Sequence, residues 1–375
     1  MLIGIDASRA LRARRTGTEN YSLQLIRHLL RQDSGHVFRL YCHQPPPPGL
    51  FAADGRAPDV RVIPLPRLWT HARLSAEMIA HPPELLFVPS HVLPLVHPRC
   101  SVVTIHDLGY HWFPEAHTPA GRRQLDLSTC FNAATSTHVL ADSQATKDDL
   151  CRVYGTPAAK VTVVHLGRDE RLQPVDDPNR LRQVCAKYGI DRGGQAQPYL
   201  LYVGTLQPRK NLLRLIDAFA AVADLVPDLV LVLAGQRGWL AEPIFHRVEE
   251  LGLDGRVLFP GFVSDDDLPA LLSGALAFVY PSLYEGFGIP VLEAQACGLP
   301  VLASNTSSLP EVAGDGALLV DPLSTAAIAD GLRRLLTEPE LSSHLRAAGF
   351  ANVRRFSWER CARETLAVLE RAGNV

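Results

Sequence analysis

Two doubly wound α/β units, each a parallel sheet covered by helices on both faces, are what this sequence predicts. Three observations carry the prediction. Short apolar runs alternate with amphipathic stretches along the whole chain. The runs are apolar throughout rather than at every second residue, which marks strands buried on both faces. The rhythm also occurs twice, on either side of a polar stretch at 169–197 that carries prolines and paired glycines. A length of 375 residues suits two such units, since a domain takes roughly 100–200 residues.

The elements follow in order. Leu2–Ser8 reads as a buried strand, and Thr18–Gln32 as a helix with Tyr21, Leu25, Ile26, Leu29 and Leu30 on one face. Strand-like runs recur at 37–42, 61–65, 85–90, 101–108, 137–143 and 160–167, with helical periodicity over much of 118–134 and 144–154. The second half repeats this with strands at 198–205, 229–235, 256–261, 276–282, 300–305 and 317–321, separated by helices. The expected organisation is a first domain over 1–170, a linker region over 171–197 and a second domain over 198–355. The segment 356–375 holds a helix, Trp358–Arg371, that either caps the second domain or crosses back to the first.

Composition excludes several classes. With 37 Lys+Arg against 39 Asp+Glu, the formal charge of −2 argues against a nucleic-acid binder, which needs a basic excess. Seven cysteines without a C-x-x-C make a disulfide framework or a structural zinc unexpected and a reducing compartment the default. MLIGIDAS is strand-like rather than a signal peptide, and no apolar run reaches the ~18 residues of a membrane span. The expectation is a cytoplasmic protein.

Open α/β sheets bind ligands beyond the carboxyl ends of their strands, so the residues after each strand are the candidates. After the first strand, Gly17 precedes a helix, where backbone N–H groups can approach an anion. Arg9, Arg12, Arg14 and Arg15 in the same loop could meet an acidic acceptor or form a solvated basic loop. His106 and Asp107 end the strand at 101–108, although 12 of the 14 histidines fall before residue 170. Only four lysines occur, and one of them, Lys210, follows Arg209 at a strand end ahead of a helix. Two cations beside a helix N-terminus suit a diphosphate. Glu285 and Glu293 stand eight apart, in a glycine-bearing turn and in the helix that follows it, where carboxylates can accept from vicinal hydroxyls. Asp265, Asp266 and Asp267 precede a helical pattern and read as helix-start residues rather than a metal site.

These residues together resemble the retaining, nucleotide-sugar-dependent glycosyltransferases of family four, which have the GT-B fold: two Rossmann-like doubly wound parallel-sheet domains facing across a cleft. The motif E-x7-E stands as Glu285-GFGIPVL-Glu293, followed by Ala294-Gln-Ala-Cys-Gly-Leu-Pro-Val301. The Gly17 loop, the T-I-H-D segment, Ser143, the P-R-K-N run and PGFVSDDDL at 260–268 match as well. The resemblance implies that Glu285 binds hydroxyls of the donor sugar and Glu293 the ribose. It implies that Arg209 and Lys210 hold the diphosphate, helped by Gly17 and the backbone of Gly286, Phe287, Gly288 and Ile289. Val263 and its loop would frame the base, and His106 would stand beside the transferred sugar, so that His106 and Glu285 are the catalytic candidates. Many members carry an arginine directly after the glycine of the clamp strand, where this chain has Thr205; Arg209 could take over its charge.

The first domain is then the acceptor side, with loops 9–16, 44–58 and 66–73 meeting a glycan, a lipid-linked or a small-molecule acceptor. The donor would be GDP-mannose, by resemblance of the N-terminal half to bacterial polysaccharide mannosyltransferases, or a UDP-sugar. No cofactor and no metal would be required, and the protein could associate peripherally with the inner face of a membrane. Two other readings stay open: a nucleotide-sugar epimerase or hydrolase on this scaffold, and a non-catalytic nucleotide-sugar-binding subunit of a polysaccharide assembly complex.

Overall fold

A computed structural model describes residues 1–12, 17–52 and 58–374. The chain divides into two compact units, one of Met1–Gly167 with Phe356–Val375, the other of Arg168–Arg355. Arg14 and Arg15, with the rest of 13–16 and 53–57 in two of the acceptor-loop candidates, lie outside the described residues.

The first unit is built on a seven-stranded sheet. Its strands are β1 (Leu2–Asp6), β2 (Val37–Cys42), β3 (Asp59–Val62), β4 (Leu85–Val88), β5 (Ser101–Ile105), β6 (His138–Ala141) and β7 (Val161–Val163), in the order β3-β2-β1-β4-β5-β6-β7. Every pairing is parallel. Strands β4 and β5 are buried along their whole length, as unbroken apolar runs require. The order of the strands reverses between β1 and β4, and loops that leave two such strands in opposite directions open a crevice at their carboxyl ends. The helix Gly17–Leu30 lays Tyr21, Leu25, Ile26 and Leu29 on the sheet, the face its periodicity predicts.

The helix Trp358–Gly373 clusters with this first unit. Ser357 caps it by accepting a hydrogen bond from the Arg360 amide, 3.1 Å. Its apolar stripe, including Cys361, Ala362 and Leu369, packs on the helix Gly17–Leu30 and on β4, β5 and β6. The approach is close enough that Gly167 can be nothing larger: a Cβ there would stand 2.2 Å from the Trp358 amide nitrogen.

Residues 171–197, a linker by composition, are folded and cluster with the second unit. Asp177 caps a helix, Pro178–Lys187, with proline in its first turn. A hairpin follows, β8 (Asp191–Arg192) and β9 (Gln195–Ala196), turning through Gly193 and Gly194 with φ of 62° and 81°. Two positive φ values are what a two-residue hairpin turn demands. The segment is polar because its helix buries only Val184 and Cys185 and is held otherwise by charge. Asp267 receives Arg180 Nη2 at 2.7 Å, Lys187 Nζ at 2.6 Å and the Tyr188 hydroxyl at 2.8 Å.

The second unit carries a six-stranded sheet of β10 (Tyr199–Val203), β11 (Val230–Ala234), β12 (Val257–Gly261), β13 (Ala277–Tyr280), β14 (Val301–Ser304) and β15 (Ala317–Val320). All its pairings are parallel, in the order β12-β11-β10-β13-β14-β15, so the reversal recurs between β10 and β13. Among the described residues, no helix is long and apolar enough to cross a membrane.

Candidate functional site

In the second unit, the loops after β10 and β13 leave the sheet at its point of reversal, and the charged candidates sit on those two loops. After β10, Pro208–Lys210 forms a single helical turn that ends at Asn211, which has a positive φ of 61°. Its side-chain amide donates to the carbonyls of Pro281 and Pro322, at 3.0 and 2.7 Å. That clamp fixes Lys210 where the helix Leu212–Ala220 begins. Lys210 is buried, and its ammonium donates to Glu285 Oε1 at 2.5 Å and to the Tyr280 hydroxyl at 2.9 Å. Arg209 donates to the Tyr284 carbonyl at 2.8 Å, and its guanidinium lies 3.7 Å from Glu285 Oε2. Thr205 is exposed, and its carbonyl accepts from the Tyr202 hydroxyl.

Glu285 is buried, which by itself would raise its pKa, but Lys210 and Arg209 outweigh burial and hold it below the usual carboxylate value. Burial, with the Glu285 charge behind it, pushes the Tyr280 and Tyr202 hydroxyls well up, so both stay protonated. Two cations against one carboxylate leave the cluster net positive. A ligand bearing a diphosphate is the complement of such a cluster.

The turn from Glu285 to Gly288 is pinned from the side. The Glu285 amide donates to Ser307 Oγ at 3.0 Å, and Ser308 Oγ donates to the carbonyls of Glu285 and Phe287 at 2.9 and 2.8 Å. Gly288, at φ 105°, then opens the helix Ile289–Ala296 with Pro290 in the first turn. The Val291 amide donates to the Gly288 carbonyl at 3.0 Å and is used within the turn. Glu293 lies in this helix, partly buried. Burial first, then the charges of Asp169 and Asp265, push its carboxyl up to about 7. Val263, after β12, is buried and Phe262 beside it is exposed, leaving main chain as what the Val263 position offers.

The first unit holds the other candidates. Gly17 is the first residue of its helix, and a Cβ there would meet nothing within 4 Å. Glu19 in that helix is buried and pairs with Arg9 and Arg12, each at 3.5 Å, so these two arginines are part of the fold. His106 follows β5, and its ring lies between Asp142 Oδ2, 2.7 Å from Nδ1, and the Pro89 carbonyl, 3.1 Å from Nε2. His91, after β4, holds a positive φ of 52° and meets Thr129 Oγ1 at 2.7 Å. Trp112 donates its indole N–H to Asp149 and stacks under Arg152, while Trp69 is buried and bonded to the Ile63 carbonyl. Asp142, His91, Tyr280 and the Ser307–Ser308 pair escape sequence reasoning. A strand-end reading applied to β4, β6, β13 and β14 would have found them all.

Residues 192–351 match the model of the glycosyl transferases group 1, and residues 15–172 that of Glycosyltransferase Family 4. The O-antigen chain mannosyltransferase B of Escherichia coli is 34% identical over 71% of this chain and 69% of its own length. The chain spans only 27% of a serotype-specific mannosyltransferase WbdA from Escherichia coli, at 31% identity over 60% of this chain. In fold, it is similar to Anabaena Alr3699/HepE, solved in complex with UDP-glucose, at a TM-score of 0.76 and 20% identity, covering 98% of this chain and 99% of that one.

Proposed function

The chain belongs to the family 4 glycosyltransferases, hexosyltransferases of the GT-B fold, and on that footing we propose that it moves mannose from GDP-mannose to a glycan or lipid-linked hydroxyl with retention of configuration. The observation that carries the donor half is the buried cluster of Lys210, Arg209 and Glu285 at the reversal of the second sheet. The mannosyl donor is supported by the relative whose name states mannosyl transfer. A UDP-sugar donor and a small-molecule acceptor are the nearest alternatives.

In this reading, Arg209 and Lys210 bind the diphosphate, with the backbone of Gly286, Phe287, Gly288 and Ile289 beside them. Glu285 accepts from hydroxyls of the sugar, Glu293 accepts from the ribose, and the Val263 main chain frames the base. In the first unit, Gly17 serves the diphosphate, and His106 stands beside the transferred sugar. The bond between the sugar's anomeric carbon and the diphosphate oxygen breaks, and the acceptor oxygen bonds that carbon from the same face. The acceptor's proton passes to the departing phosphate oxygen, which needs no enzymic base and rewards fixed positive charge. The fixed cations take the part a metal would otherwise play, so the proposal includes metal independence, and a cytoplasmic site of action with peripheral membrane contact.

The test is a thermal-shift screen of nucleotide sugars followed by an assay of nucleoside diphosphate release with and without an acceptor extract. Stabilisation by GDP-mannose and acceptor-dependent release of GDP are expected. Release without acceptor would make the protein a hydrolase, and binding without release a non-catalytic subunit.

A further inference from the structure

Strands β5 and β6 are parallel neighbours in the register Ile105 to Ala141, so the next residue on each, His106 and Asp142, must meet side by side. They do, with Asp142 Oδ2 2.7 Å from His106 Nδ1. The other ring nitrogen faces the main-chain carbonyl of Pro89, at the end of β4, across 3.1 Å. A carbonyl oxygen can only accept a hydrogen bond, and so can an ionised carboxylate. A ring held between two acceptors carries an N–H at both nitrogens, which is the imidazolium ion. Asp142 is buried and, among the described residues, its Oδ1 has no hydrogen-bond partner, so the carboxylate is committed to the ring. The Thr146 hydroxyl holds the His106 carbonyl from the following helix at 3.2 Å, and Tyr21 meets the ring edge-on at 4.9 Å.

We propose that Asp142 is a positioning residue which, with the Pro89 carbonyl, keeps His106 as an imidazolium, so that His106 serves glycosyl transfer as a fixed positive charge and never as the base. The proposal rests on the reading that His106 stands beside the transferred sugar. With no lone pair on either ring nitrogen, His106 cannot receive the acceptor's proton. That proton is left to the departing phosphate oxygen.

The surrounding charges act in both directions: burial and the Asp107 charge raise the Asp142 carboxyl above its usual value, while His106 and His165 pull it down. Burial alone would lower the His106 pKa, but the Asp142 carboxylate, the Pro89 carbonyl and Asp107 outweigh it and raise it. From the end of β4, His91 faces the ring. Burial, the His106 charge and Arg9 push His91 down to about 4, so the neighbouring imidazole is neutral and adds no repulsion. On the far side of Asp142, Tyr21 and Cys361 stay protonated because burial raises both.

The test reads the ring directly. In the whole protein labelled at histidine with nitrogen-15, one signal should show both ring nitrogens protonated at pH 7.5, and it should vanish in His106→Gln. Asp142→Asn, nearly isosteric, should lower the midpoint of that signal by at least about one pH unit, a tenfold loss of proton affinity. The kcat of this variant should then fall as pH rises through the new midpoint, with the KM for donor unchanged. A bare nitrogen on His106 at pH 7.5 in the native protein, for example Nδ1 accepting from a protonated Asp142, overturns the proposal. So does an Asp142→Asn enzyme whose kcat follows the native pH profile. The nitrogen signal is read without any turnover, so an inactive protein with a charged ring refutes the transferase reading and leaves the charge state standing.

Discussion

Lys210 and Glu285, 75 residues apart in sequence, form an ion pair of 2.5 Å in which each side chain is only 9% exposed. The two residues that the family resemblance assigns to different parts of a donor therefore first stabilise each other. The pair exists because β10 and β13 are hydrogen-bonded neighbours whose following loops leave the sheet together. A ligand that takes up Lys210 must replace part of what Glu285 supplies.

Breaking that pair from one side strands a buried charge. Lys210→Ala should cost about 3–5 kcal/mol in urea unfolding, since the buried carboxylate then keeps only Arg209, 3.7 Å away, as its cation. Lys210→Met combined with Glu285→Gln should be more stable than Lys210→Ala alone, while all these variants lose transfer. Additive losses across the two positions would refute the pairing as an energetic unit.

Glu293 has a carboxyl pushed up to about 7 by burial, Asp169 and Asp265. A raised carboxylate pKa means that the folded state holds a proton which the unfolded chain has lost between about pH 4.5 and 7. Stability therefore declines as pH rises through that window. Glu293→Gln should abolish this part of the decline. If Glu293 accepts from ribose hydroxyls, nucleoside diphosphate should bind more tightly as pH rises through about 7. Calorimetry should show that rise in the native protein and a flatter profile in Glu293→Gln.

Asp267 illustrates the opposite sign. Hydrogen bonds from Lys187 and Ser264, with Tyr188 and Arg180, hold its carboxyl well below the usual range. The stability it contributes is present above the unfolded carboxylate value and is lost as pH falls below it. Asp267→Asn should thus unfold at lower temperature than the native protein at pH 6, and the gap should narrow progressively as pH falls below about 4, closing only in strong acid where the folded-state carboxyl is itself protonated. A gap that does not narrow in acid would show that the contact is steric rather than ionic.

Gly167→Ala and Gly17→Ala form a matched pair. The first drives a methyl group against the Trp358 amide and should destabilise by about 1–3 kcal/mol, with a shifted tryptophan fluorescence. The second adds its methyl to open space and should leave stability within about 0.5 kcal/mol. Equal melting temperatures for the two variants would contradict the packing of the helix Trp358–Gly373 described above.

Strands such as β4, β5 and β11 were legible because each is an unbroken apolar run, whereas β3, partly exposed, starts two residues before the run that marks it. The strand ends led to His106, Arg209, Lys210 and Glu285. Their partners were not legible. Asp142 lies 36 residues from His106, and only the register of β5 on β6 brings the two together. The segment 171–197 misled because composition reports solvent exposure and not disorder: its helix hides two apolar residues and anchors itself through Asp267. The destination of the helix Trp358–Gly373 was open for a related reason, since an amphipathic stripe declares that a helix packs without saying on what.

That returning helix has a consequence for how the protein is made. The core that includes Ile3 and Tyr21 is completed by Trp358 and Cys361, which leave the ribosome only after all of Arg168–Arg355. The second unit is contiguous and can fold as it emerges, whereas the first must wait with an uncovered apolar face on the helix Gly17–Leu30 and on β4 to β6. A nascent chain arrested before Phe356 should therefore leave that apolar face open, and its N-terminal half should be cleaved faster by protease than in the full chain.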